Sequence, residues 1–99
     1  MRLSAEHAAG IACIVRELAG DQASVRVFGS RLDDTARGGD LDLLIELDSA
    51  VDNPALLASN VSARVSRLLG GRRVDVLVTA PNLLKLPIHD IALREGVRL

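Results

Sequence analysis

The sequence predicts an α+β fold, a small twisted mixed sheet of three or more strands with helices packed on one face. Two observations carry that reading. Aliphatic residues recur at helical spacing in some stretches and alternate at strand spacing in others, with Gly, Pro and Asn between them and no repeat or linker. Each strand pattern then has one aliphatic face and one mixed face, which describes a sheet covered on one side and partly open on the other. At 99 residues the chain is read as one domain, 1–99. A chain of that length hides only about 60–65% of its unfolded surface, enough for one small core.

In chain order, Ser4 is a helix N-cap, and Ile11, Ile14, Val15 and Leu18 at i, i+3, i+4 and i+7 predict a helix ending near Gly20. Asp21 to Gly29 reads as a strand, with Val25 and Val27 opposite Arg26 and Phe28. Polar, Gly-rich sequence fills Ser30 to Gly39. A second strand runs from about Asp40 to Leu47, placing Leu41, Leu43, Ile45 and Leu47 on one face and Asp40, Asp42, Leu44 and Glu46 on the other. Asn53-Pro54 opens a second helix whose stripe is Leu57, Val61, Val65 and Leu68, and Gly70-Gly71 stops it. Arg73 to Thr79 is a third strand, with Val74, Val76 and Val78 opposite Arg73, Asp75, Leu77 and Thr79. Pro81 and Pro87 divide the tail, and from Pro87 to Glu95 it is expected to be helical with Ile88, Ile91 and Ala92 inward.

Composition excludes several functions. Apolar residues make up 48% of the chain but Phe28 is the one aromatic, so aliphatics fill the core and a nucleobase finds little to stack on. Twelve basic residues against thirteen acidic ones give no field to hold a polyanion, so stable nucleic-acid binding by this chain alone is not expected. The lone Cys13 excludes an internal disulfide and a cysteine zinc site. The N-terminus is charged where a signal peptide needs an apolar run, and no stretch approaches the roughly 18 apolar residues of a membrane span. A cytoplasmic protein with no membrane association is expected.

The chemistry gathers on the open face. Strand neighbours lie about 4.8 Å apart, so if the second and third strands pair with Asp75 near Asp40 and Asp42, three carboxylates can surround two divalent ions about 3.5–4 Å apart. All-oxygen ligation favours Mg²⁺ or Mn²⁺. An isolated Asp-x-Asp is more often the solvated side of a half-buried strand. Here Gly29-Ser30 ends one strand, where backbone amides and a hydroxyl can grip phosphate, and Gly38-Gly39 returns the chain just before Asp40.

Gly29-Ser30-Arg31, nine residues from Arg31 to Gly39, Asp40-Leu41-Asp42 and later Val74-Asp75-Val76-Leu77 resemble the Gly-Ser…Asp-x-Asp…Asp signature of the polymerase-beta-type nucleotidyltransferase superfamily. Length and helix–strand order are similar to its minimal nucleotidyltransferase branch, the antitoxin partner of HEPN-domain toxins. The resemblance covers about Val15 to Leu99 and implies a palm-like nucleotidyltransferase fold. It also implies that Asp40, Asp42 and Asp75 are catalytic and hold metal, two Mg²⁺ ions with Mn²⁺ as the substitute. Asp75 would help activate the attacking hydroxyl, while Gly29, Ser30 and Arg31 bind the triphosphate of ATP. The implied reaction is AMP transfer to a hydroxyl, typically a tyrosine, of a HEPN partner. The sequence departs from minimal relatives in having nine rather than ten residues after Ser30, and in carrying Asp33-Asp34 where they often have Arg-Gly.

A phosphate role is expected for Arg31 more than for Arg37, and Arg72-Arg73 reads as a solvated turn before a strand, with contact to a partner or nucleotide as the alternative. His7 and His89 read as surface or cap histidines, and Cys13 as a packed or partly buried thiol. No Walker A loop, Gly-x-Gly-x-x-Gly or Gly-x-Ser-x-Gly elbow is present. Two functions stand: an adenylylating antitoxin, and a binding-only antitoxin that neutralises a HEPN ribonuclease by masking it. Larger nucleotidyltransferases close an added domain over the base, so a chain this small is expected to need a partner, with a homodimer as the other arrangement. Its surplus apolar character is a candidate interface.

Overall fold

The computed structural model describes residues 3–28 and 41–99. Among them are helices α1 (Ala5–Ala19), α2 (Pro54–Leu68) and α3 (Pro87–Glu95), and strands β1 (Ser24–Phe28), β2 (Leu41–Glu46), β3 (Val74–Thr79) and β4 (Val97–Arg98). The sheet order is β3-β2-β1-β4. β1 pairs antiparallel with β2 and β4, while β3 runs parallel to β2. A parallel neighbour needs a crossover, and α2 supplies it.

The helix ends form as their residues dictate. Ser4 Oγ accepts from the His7 backbone N–H at 3.0 Å, and Asn53 Oδ1 accepts from that of Leu56 at 3.1 Å with Pro54 beginning the first turn. At the far end of α2, Gly70 and Gly71 adopt φ of +78° and +94°, which side-chain-bearing residues rarely do. That turn lets Gly71 N–H reach back to the Ser66 carbonyl at 2.8 Å.

The core lies between the sheet and α1 with α2. Ile11, Ile14 and Val15 from α1, Val61 and Val65 from α2, and the β-face Val25, Val27, Leu41, Leu43, Ile45, Val74 and Val78 form one buried cluster. Leu68, the last residue of the expected stripe, is exposed instead. The two helices are also joined by Arg64 Nη2 and Glu17 Oε2 at 2.7 Å. The hydrogen bond from Arg64, then that from the Cys13 thiol, and then the Arg64 charge hold the Glu17 carboxyl below the usual carboxylate range. A depressed carboxyl pKa contributes stability above the unfolded-state value, and that contribution is lost as pH falls through the folded value. Arg64→Gln is therefore expected to lower the urea midpoint slightly at pH 7 and leave it unchanged at pH 2.

Two expectations need correction. α1 and α2 cover the aliphatic face, but α3 packs on the opposite one, where its Ala92 is buried against Phe28 and Leu44 with Leu77 and Leu93 alongside. Ile88 and Ile91, expected inward, are 40% and 37% exposed. The reason is that α3 is tied to this face by the strand that follows it: Val97 pairs with Val27, and Leu99 N–H donates to the Val25 carbonyl at 3.0 Å. Cys13 is also exposed rather than packed, its thiol donating to Glu17 Oε1 at 3.6 Å.

The bend between α3 and β4 is possible because Gly96 has no side chain. A Cβ there would stand 2.4 Å from the Ala92 carbonyl oxygen and 3.2 Å from Arg26 Cβ. Gly96→Ala is expected to cost about 1–3 kcal/mol by overpacking, read as a lower urea midpoint.

Candidate active site

Parallel pairing of β2 with β3 sets Asp42 directly beside Asp75. Antiparallel pairing of β1 sets Phe28 on the other side of Asp42. One row across the α3-side face therefore reads Asp75, Asp42, Phe28, and the next reads Leu77, Leu44, Arg26. Neighbouring strands place the two carboxylate-bearing Cα atoms about 4.8 Å apart. Such a pair is repulsive by itself and is not a device for stability.

Local bonds fix this row. Leu41 N–H donates to the Arg73 carbonyl at 3.0 Å at the start of the ladder, and Ser62 Oγ on α2 donates to the Val74 carbonyl at 2.6 Å. These hold the two backbone carbonyls that precede Asp75. Its side chain lies half in solvent, and Arg73 Nε stands 3.5 Å from its Oδ1. Arg73, expected to be a solvated turn residue, is thus part of the acid pair's surroundings.

Asp42 and Asp75 open into a cavity of about 320 Å³ whose other walls are Phe28, Leu77, Ile88, Ile91 and Glu95. α3 is set over it by its own N-terminus: His89, buried, accepts the Leu86 backbone N–H on Nδ1 at 2.9 Å. The expectation of a cap histidine holds there. Upstream, Asn82 bonds both backbone groups of Val51, at 3.0 and 2.8 Å, which anchors the segment leading to α3.

The structure thus brings together two of the expected acids, Asp42 and Asp75. Asp40, the phosphate-loop residues Gly29, Ser30 and Arg31, and Asp33, Asp34, Arg37 and Gly38-Gly39 lie outside the described residues. Among the described residues no group of three or more His, Cys, Asp or Glu side chains is placed to hold a metal. Sequence reasoning missed the cavity wall on α3. The signal was available: Ile88, Ile91 and Glu95 fall at i, i+3 and i+7, one face of the helix, and the wall is that face.

Among the described residues no helix is long and apolar enough to cross a membrane. No curated protein matches the chain. A family model described as a nucleotidyltransferase domain matches residues 9–98, from α1 through β4 and so across both aspartates. The acid pair, the mixed sheet that aligns it and a match over nearly the whole chain agree, and this chain belongs to the nucleotidyltransferase domain family.

Proposed function

We propose that the chain is a metal-dependent nucleotidyltransferase that moves AMP from ATP to a hydroxyl, a tyrosine, of a partner HEPN toxin, and so acts as its antitoxin. The observation that carries the reading is the register of Asp42 beside Asp75 at the mouth of the cavity. Nucleotidyl transfer in this family uses a nucleoside triphosphate and a divalent metal, and two adjacent carboxylates of different strands fit a hard, oxygen-seeking cation such as Mg²⁺. Asp42 and Asp75 would hold that ion, with Asp40 as the third acid and Gly29, Ser30 and Arg31 at the triphosphate. When bound, the metal offsets charge on the transferring phosphate and the leaving pyrophosphate.

The chain's own groups supply position and a proton acceptor. Asp75, at the strand edge and half exposed, can accept a hydrogen bond from an acceptor hydroxyl and orient it for in-line attack. The described cavity wall is hydrocarbon plus carboxylates, which only accept hydrogen bonds. Its chemical complement is an apolar body ending in an O–H, which supports tyrosine as acceptor. A nucleobase has ring-nitrogen acceptors that these walls leave unmatched.

The test is to mix the protein with the product of the adjacent reading frame, Mg²⁺ and ATP labelled on the α-phosphate. Label on a tyrosine of the partner, lost in an Asp40→Asn, Asp42→Asn double variant, is the expected result. Neutralisation of the partner by that variant as well as by the wild type, with no label in either, would establish the binding-only antitoxin instead.

A further inference from the structure

Given the nucleotidyl-transfer reading, on which this rests, we infer that Arg73 is an exchanging counter-ion: it holds Asp75 before the metal arrives and passes to the phosphates of the bound nucleotide afterwards. Arg73 is the residue just before β3, two positions from Asp75, and its Nε stands 3.5 Å from Asp75 Oδ1, on the side of the acid pair. The Arg73 backbone is fixed by its carbonyl bond from Leu41, while its side chain is 73% exposed. An anchored backbone with a solvent-exposed guanidinium suits a group that changes partner without moving the strand.

The contact itself is of the exchangeable kind. It is a single approach of Nε to one carboxylate oxygen at 3.5 Å, not a fork on both oxygens, and both side chains are in solvent. Such pairs are weak and readily broken. The other ion pairs among the described residues, Arg26 with Glu46, Arg64 with Glu17 and Lys85 with Asp90, tie elements away from the acid pair. Asp75 holding a divalent ion would release the guanidinium, which the ion's charge would repel. The triphosphate then brings a concentrated negative charge to the same place, and a guanidinium binds phosphate oxygens in the two-point geometry that the carboxylate contact lacks.

Exchange gives effects of opposite sign on the two ligands. With Arg73→Gln, Mn²⁺ binding without nucleotide, followed by electron paramagnetic resonance, should tighten about two- to fivefold because the competing cation is gone. Binding of a non-hydrolysable ATP analogue at saturating Mn²⁺ should weaken roughly ten- to a hundredfold. Arg73→Lys should keep the wild-type Mn²⁺ affinity and recover part of the nucleotide affinity. An unchanged melting temperature in each variant excludes misfolding. If the wild type binds both ligands and Arg73→Gln alters neither, or moves both in one direction, Arg73 is a solvated turn residue and the inference fails. If the wild type binds neither ligand, the nucleotidyl-transfer reading itself fails.

Discussion

Asp42→Asn should lower the proposed nucleotidyl transfer by at least about a thousandfold, a loss of about 4 kcal/mol of transition-state stabilisation, with the fold intact. The amide has the shape of the carboxylate but not its charge, and Asp42 stands on β2 between Phe28 and Asp75, where no other described side chain can take its place in the row. Transfer at more than a tenth of the wild-type rate would remove Asp42 from the reaction. The same substitution at Asp75 should be equally costly to activity.

The largest effect on stability is expected from Leu43→Ala. Leu43 is fully buried at the centre of β2, between Val27 on β1 and Val76 on β3. It belongs to the cluster formed with α1 and α2. Emptying that position should cost about 2–5 kcal/mol, a large part of the roughly 5–15 kcal/mol that holds a domain of this size. Urea unfolding should show a lower midpoint with an unchanged slope, and the melting temperature should fall by roughly 10 °C or more. A loss below about 1 kcal/mol would mean that the sheet and helices do not close over Leu43 as described.

Much of this was legible in the residues because it depends on local patterns. Alternation in Leu41–Glu46 and Val74–Thr79 fixes which side chains share a face, so Asp42 and Asp75 could be assigned to the same side before any pairing was known. The caps Ser4 and Asn53 and the stop at Gly70-Gly71 depend on backbone chemistry within a few residues. Tertiary placement was less legible. The two-residue β4 is too short to show alternation, yet its pairing with β1 decides which face α3 covers. With α3 assigned to the wrong face, Ile88 and Ile91 read as core rather than as cavity wall. Arg73 is solvent-exposed as expected, but its place beside Asp75 becomes meaningful only once Asp42 lies alongside.

The central claim is that Asp42 and Asp75 together form the metal end of a nucleotide site. The most direct measurement is a crystal structure of the wild-type protein with Mn²⁺ and a non-hydrolysable ATP analogue, with the ion located by its anomalous scattering. A manganese peak within coordination distance of carboxylate oxygens of both Asp42 and Asp75, bridged to a phosphate of the analogue, is the predicted result. Manganese and nucleotide bound elsewhere, with neither aspartate in contact, would contradict it.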